Sequence, residues 1–388
     1  MHRQLLKWIR AAAARHRVRW IPQPVRRLVR AGTRALHRLY HLRVRRGAIA
    51  GRYAGFDDVA GFLRDQYVPL QAPMVLISQV QRSGGTLLSQ LFDGHPALAA
   101  HPHELKIGFP EADRWPLLDP ARGPRWNFGR LFDMNFPRLV RRGFTKGDRD
   151  PQRYSFLLIP RLQYLLFQHL FETKPPAGPR AILDHFFTAF FNAWLNYQGD
   201  LAQKRWITAF APRLANDETN MQRFFDAYPD GRLIQIVRDP RSWYPSAKNH
   251  LKSGFGNKSA EHILSRWCVS AESMLRNKAR YGNRVIILRF EDLVGRTEMT
   301  MRALARELGI AMHPLLLEPT FNGHVMRANS SFDVAQRGVI AAPLARQEML
   351  EENERRLIAE RCGALYHRVL AEAIVVAAEA PRMAAASS

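Results

Sequence analysis

The sequence predicts an α/β protein: a parallel sheet flanked by helices on both faces, preceded by a basic helical arm. Three observations predict it. The candidate strands are short, solid apolar runs rather than alternating ones, the pattern of strands buried on both faces. They alternate with helical stretches, as crossover connections between parallel strands require. Residues 1–56 hold no Asp or Glu among many arginines, whereas charges of both signs mix beyond them.

In chain order, the arm (residues 1–50) reads as helical segments broken at Pro22 and Pro24, with Leu5, Leu6, Trp8 and Ile9, then Val25, Leu28 and Val29, recurring among arginines. Such a face suits an anionic membrane surface; the same pattern also suits a solvated arm or one docked on its own domain. Residues 51–388 read as one domain. A β-branched run over 73–78, bounded by Pro73 and a Gly-rich loop, is its first strand. A helix over 85–92 follows and stops at Gly94, with His95 and Pro96 beyond. Residues 100–150, rich in Pro, Gly and aromatics, read as a lid-like insertion. Then come helices over 152–172 and 183–199, a strand over 206–210, a helix over 219–227 and a strand over 233–237. A helix over 260–281, a strand over 284–288, a helix over 297–308 ending at Gly309, and a C-terminal helix over 344–377 complete the chain.

Composition narrows the function classes. With 46% hydrophobic and 24% charged residues, the 388-residue chain is globular rather than disordered or fibrous. Its net charge of +24 directs it to anions: nucleic acid, anionic lipid, an acidic glycan or a polyphosphorylated cofactor. Two cysteines, Cys268 and Cys362, are too few for a disulfide framework and read as free thiols. No run of about 18 apolar residues predicts a membrane span, and no apolar stretch near the start fits a secretory signal. The expected location is the cytoplasm, with the arm on the inner membrane face.

Two segments carry chemistry. The first, Ser78-Gln79-Val80-Gln81-Arg82-Ser83-Gly84-Gly85-Thr86, lies between a buried strand and a helix. Its glycines let backbone N–H groups turn toward an anion. The Arg82 fork suits phosphate or sulfate oxygens, and Thr86 adds a hydroxyl. The loop is of P-loop type without the Walker lysine. A tight turn with a surface arginine is the plain alternative. The second segment runs from Arg238 to Ser246. Arg238 ends a strand, where open parallel sheets bind ligands. Ser242 reads as the helix N-cap, with Pro245 in the first turn. Arg238 and Ser246 then converge on one anion. The plain alternative is a capped helix with an Arg238–Asp239 ion pair.

Together these segments resemble the sulfotransferase superfamily, whose first signature is P-[KR]-S-G-T-T and whose second is R-[DN]-P with a Ser eight residues after the Arg. Arg289-Phe290-Glu291-Asp292-Leu293 is similar to its R-Y-E-D-L segment. Phe210-Ala211-Pro212-Arg213-Leu214 is similar to the K-T-P-R-L element of its glycan and tyrosylprotein-type branches. The resemblance spans residues 73–310. Gln81 departs from the usual Pro, and Gly85 from the first Thr, which removes one hydroxyl. No C-terminal R-K-G element is present; the segment from Asn322 to Phe332 is expected to close over the cofactor instead.

The resemblance implies 3′-phosphoadenosine 5′-phosphosulfate as cofactor, held by Arg82, Ser83, Gly84, Gly85, Thr86, Arg238 and Ser246, with no metal. It implies Arg82 as the group that stabilises the leaving charge, and Glu104 as the base, with His103 and His101 as alternatives. Arg213, Lys204 and His185 are further candidates, His185 reading more readily as packed core. The acceptor expected is a glycan or lipid-linked saccharide. The rivals are a nucleotide-dependent P-loop kinase, which needs a Walker lysine, and a nucleic-acid-binding protein using the arm; nucleic acid is not expected as a partner.

Overall fold

The computed structural model describes residues 39–50, 56–111, 114–133, 135–145, 152–250, 255, 258–328, 330, 332 and 334–376. Residues 1–38 of the basic arm lie outside them; residues 39–50 are helical. The chain divides into two units, Met1–Ala48 and Ile49–Ser388.

The second unit opens with helix α1 (Phe56–Gln66) and is built on five strands: β1 (Met74–Ile77), β2 (Leu98–Glu104), β3 (Trp206–Phe210), β4 (Arg232–Val237) and β5 (Val285–Arg289). They form one sheet in the order β2-β3-β1-β4-β5, and every pairing is parallel. Strands β1, β3, β4 and β5 are almost wholly buried, as their solid apolar runs predict. On one face Val75, Ile77, Phe210, Ile234, Ile236 and Leu288 pack against three helices. These are α2 (Gly85–Leu91), α10 (Phe290–Gly295) and α11 (Thr297–Glu307), through Leu88, Leu91, Phe290, Leu293, Met301 and Leu304. On the other face lies the long helix α9 (Ala260–Tyr281). Its Asn277 amide donates to Gln235 Oε1 of β4 at 3.2 Å and to Ala215 O at 3.0 Å.

Between β2 and β3 stand α3 (Gly123–Leu131), α4 (Phe136–Arg142), α5 (Pro160–Thr173) and α6 (Pro179–Asn192). The aromatics of α6, among them Phe186, Phe187, Phe190 and Phe191, are buried core, as their helical spacing suggests. Helix α7 (Glu218–Ala227) leads into β4, and α8 (Pro240–Lys248) leaves it. After α11 come a short hairpin, β6 (Thr320–Phe321) with β7 (His324–Val325), a 3₁₀ segment Ala342–Met349, and α12 (Glu352–Ala371). Asp93, just past α2, accepts hydrogen bonds from Thr320 Oγ1 at 2.6 Å and Gly323 N at 3.1 Å, which pins the hairpin to the sheet domain. Cys268 and Cys362 are free thiols on α9 and α12, with Sγ atoms 3.7 Å apart.

Several sequence expectations are corrected. Residues 98–104 do not begin an insertion; they form the edge strand β2, whose pairing with β3 shifts register between Ala100 and Glu104. Pro102 lies at that irregularity, where a missing N–H costs least. The helix expected over 152–172 starts at Pro160, whose fixed φ suits a first helical position. The helix expected over 183–199 begins and ends earlier, at Pro179 and Asn192. The N-cap of α8 is Asp239, not Ser242: its side chain accepts from Arg241 N at 2.8 Å, with Pro240 at the first position. The helix expected over 344–377 is a 3₁₀ segment followed by α12, separated at Leu350; residue 377 lies outside the described residues.

Candidate functional site

The loops after β1 and β4 both open at the carboxyl ends of their strands, and their residues line one cavity. Gln81, Arg82, Gly84, Gly85 and Thr86 come from the first loop, Arg238 from the second. Glu104 and Phe210 come from the ends of β2 and β3, and Phe290 follows β5. Arg327, Ala328, Gly338, Ile340, Pro343 and Arg346 come from the C-terminal stretch.

The first loop is shaped by backbone geometry. Gly84 caps α2 at φ 94°, and a Cβ there would lie 2.7 Å from Phe290 Cδ2. Both the left-handed conformation and the close ring require glycine. Arg82 also has positive φ, 71°, a conformation that costs a non-glycine residue energy and that clusters at functional sites. The N–H groups of the first turn of α2 have no intrahelical acceptors, and Thr86 stands beside them on the cavity wall. The Ser83 hydroxyl is buried with no hydrogen-bond partner among the described residues.

The second loop is locked beneath the first. Arg238 is 2% exposed. Its Nη1 donates to Arg82 O at 2.9 Å, Nη2 to Ser242 O at 2.6 Å and Pro343 O at 3.1 Å, and Nε to Ser242 Oγ at 3.0 Å. Trp243 Nε1 donates to Gln81 O at 2.8 Å, a further tie between the loops. The Phe290 ring, the same one that excludes a side chain at Gly84, lies 4.4 Å under the Arg238 guanidinium. Glu291 Oε1 receives the Asp239 N–H at 3.1 Å. The Arg289–Leu293 segment therefore braces both loops. Asp239 pairs with Arg241 at 2.6 Å, so the Arg238–Asp239 ion pair is not what the loop uses.

Arg346 was not legible as a site residue. It is 7% exposed and comes from the 3₁₀ segment. Its Nη1 donates to Ser246 Oγ at 2.5 Å and its Nη2 to Ser330 Oγ at 2.9 Å, and it packs 4.4 Å over the Phe332 ring. Ser246 is wholly buried and meets the cavity through this arginine. The segment expected to close over the cofactor thus contributes Ser330 and Phe332 through Arg346; Asn329 and Ser331 lie outside the described residues.

The electrostatics are lopsided. Burial first, then the nearby Arg346 guanidinium, pulls Arg82 down to about 10 and Arg238 to about 9; burial pulls Arg346 to about 10. Glu104 is the one carboxylate among the described lining residues, which also hold four arginines. Its Oε2 lies 3.6 Å from Lys106 Nζ. Clustered cations without matching carboxylates are costly unless an anion joins them.

The three candidate bases separate. Glu104 lines the cavity; His101 and His103 do not. His101 is buried, stacks on Phe190 at 5.1 Å and donates from Nδ1 to His103 O at 2.6 Å. Burial pushes its imidazole down to about 3. His103 donates from Nδ1 to Glu104 O at 3.1 Å, its ring edge-on to Phe144. Arg213 sits at φ 65° with its N–H on Gln79 O at 3.0 Å, and Lys204 Nζ donates to His95 O at 3.1 Å. His185 donates to Lys174 O at 2.8 Å within the helical core. None of these three lines the cavity. Among the described residues no group of three or more His, Cys, Asp or Glu side chains is placed to hold a metal ion, and no helix is long and apolar enough to cross a membrane.

A parallel α/β sheet carries, at its carboxyl edge, two interlocked loops that line one cavity. The chain belongs to the sulfotransferase family, whose model matches residues 73–314, more than half of it. The sulfotransferase domain from the curacin biosynthetic pathway aligns at 16% identity and a TM-score of 0.42, over 76% of this chain and 98% of that one. The sulfotransferase domain of the Synechococcus PCC 7002 olefin synthase aligns at 17% and 0.42, over 76% and 95%. A sulfotransferase from Alicyclobacillus acidocaldarius aligns at 15% and 0.41, over 77% and 94%. A search of curated proteins gives no match.

Proposed function

We propose that this sulfotransferase takes its sulfuryl group from 3′-phosphoadenosine 5′-phosphosulfate and delivers it to a hydroxyl or amine of a saccharide acceptor. The observation that carries the reading is the convergence of Arg82, Arg238 and Arg346 on the cavity that Glu104 also lines. The residues fit the donor nucleotide. Arg82 and the N–H groups of Gly84–Thr86 suit the 5′ end; Arg238 and Arg346, the latter braced by Ser246, suit the 3′-phosphate. Arg238 joins the two half-sites by donating to the Arg82 carbonyl.

When bound, the nucleotide supplies an activated sulfuryl group on a phosphate leaving group. Glu104 takes the proton of the attacking acceptor. Arg82 meets the charge that develops on the leaving oxygen, and the loop N–H groups hold that oxygen in place at no cost in reorganisation. Positioning and electrostatics carry the reaction, as in phosphoryl transfer.

The saccharide reading rests on the basic lining and the basic arm, which favour an acidic glycan or a lipid-linked saccharide; residues 1–50 are assigned to an anionic membrane surface, and none of the chain to nucleic acid. The test is release of adenosine 3′,5′-bisphosphate from the donor in the presence of uronic-acid glycans, neutral oligosaccharides and small phenols. Stimulation by a saccharide is expected. Stimulation by phenols alone overturns the acceptor assignment.

A further inference from the structure

We infer that Cys268 and Cys362 form a reversible, peroxide-sensitive dithiol site, in which Cys268 is oxidised first and Cys362 closes the disulfide. The two cysteines lie 94 positions apart in sequence, on α9 and α12, and their Sγ atoms stand 3.7 Å apart. A disulfide holds its sulfurs at about 2.05 Å, so about 1.7 Å of approach separates the thiols from the bond. The helices are already held together beside the pair. Trp267, the neighbour of Cys268, sets its ring edge-on to that of Tyr366, one turn beyond Cys362, with centroids 6.1 Å apart. Both rings are buried, and Trp267 is fixed in turn by donating from Nε1 to Arg238 O at 3.0 Å. The remaining approach is made by the two cysteine side chains.

The two thiols are not equivalent. Cys362 is wholly buried, whereas Cys268 is partly exposed and open to a small oxidant. The hydrogen bond between the sulfurs pulls the Cys268 thiol below its ordinary pKa, against burial; the same bond first, then burial, pushes Cys362 up. Cys268 thus carries the thiolate character on which reaction with peroxide depends, and Cys362 is a protected partner within reach. The steps balance. The Cys268 thiolate attacks one oxygen of hydrogen peroxide and the O–O bond breaks. A sulfenic acid forms on Cys268, and the departing hydroxide takes up the proton that Cys268 released, giving water. The Cys362 sulfur then attacks the Cys268 sulfur. The S–S bond forms as the S–O bond breaks, and hydroxide leaves with the Cys362 proton as a second water. Two electrons pass from the sulfurs to the peroxide.

The test uses the full-length chain, reduced, freed of reductant and treated with hydrogen peroxide. Remaining thiols are alkylated in denaturant, and the peptides are mapped by mass with and without dithiothreitol. The expected product is one pair of peptides joined through Cys268 and Cys362, two hydrogens lighter than the separate peptides and released by dithiothreitol. Cys362→Ser and Cys268→Ser, each first checked for a cooperative melt, test the order. In Cys362→Ser the resolving partner is absent, and dimedone is expected to trap a sulfenic acid at Cys268. In Cys268→Ser the buried Cys362 is expected to stay unlabelled over the same time. Two thiols still open to alkylation after peroxide overturn the pairing. So does sulfinic acid on Cys268 with Cys362 still free, or a bond between two chains. Equal dimedone labelling of the two variants overturns the order. Where a serine variant does not fold, the alanine variant at the same position decides by the same criteria.

Discussion

Replacing Arg346 by Met should raise the stability of the ligand-free protein while weakening its nucleotide binding. Arg346 donates to Ser246 and Ser330 and is held below its ordinary pKa by burial; it also depresses both Arg82 and Arg238. Each pKa unit of depression corresponds to about 1.4 kcal/mol of disfavoured charge. Removing this buried charge, together with the repulsion it exerts on Arg82 and Arg238, returns on the order of 1–2 kcal/mol to the fold, a rise of about 2 °C in melting temperature. Methionine keeps most of the aliphatic packing on Phe332, and the two serine hydroxyls can turn to other partners. Binding moves the other way. Loss of a charged donor to the 3′-phosphate costs about 1.5–3 kcal/mol, roughly 10- to 150-fold in affinity. Calorimetric titration with adenosine 3′,5′-bisphosphate and with AMP separates the effects, because only the bisphosphate carries the 3′-phosphate. Equal loss for both nucleotides, or a lower melting temperature with unchanged affinity, would refute the reasoning.

Other expectations follow from the same geometry. Glu104→Gln should keep bisphosphate affinity and lose about 10²- to 10⁴-fold in turnover, measured as nucleotide release with acceptor present; full turnover would move the base elsewhere. Gly84→Ala forces a side chain to φ 94° and 2.7 Å from Phe290, and should cost about 1–3 kcal/mol by urea denaturation together with nucleotide binding. His101 is held neutral in the fold, at about 3 against an ordinary value of 6.5, so below pH 6.5 the unfolded chain binds a proton that the folded chain refuses. Its contribution to stability is intact above pH 6.5 and lost as pH falls toward 3, by up to about 1.4 kcal/mol per pH unit. The difference in unfolding free energy between the wild type and His101→Phe should therefore shift by that slope as pH falls from 6.5 to 4.5. Buried Asp133, whose raised pKa acts in the opposite direction, is common to both proteins. A flat difference would contradict the burial argument.

Strands β1, β3, β4 and β5 were legible because burial on both faces leaves mainly apolar residues in them. The edge strand β2 was not: Leu98-Ala99-Ala100-His101-Pro102-His103-Glu104 carries a proline, two histidines and a carboxylate, and only its first residues are apolar. That strand is what separates the three candidate bases. It sends Glu104 to the cavity, buries His101 among phenylalanines and leaves His103 off the cavity wall. That the loops after β1 and β4 are strand-to-helix turns was legible, because each follows a solid apolar run and carries glycine or proline at the turn; both line one cavity. Arg346 was not, since it reaches Ser246 across 100 residues from a 3₁₀ segment with no local signature.

The account's central claim is that the paired loops hold a nucleotide phosphorylated at both its 3′ and 5′ positions. Calorimetric titration of the wild-type chain with adenosine 3′,5′-bisphosphate, AMP and ATP, with and without Mg²⁺, tests it most directly. Tight binding of the bisphosphate without metal, with AMP and ATP much weaker, is the predicted result. Preferential binding of ATP with Mg²⁺, or no discrimination between the bisphosphate and AMP, would contradict it.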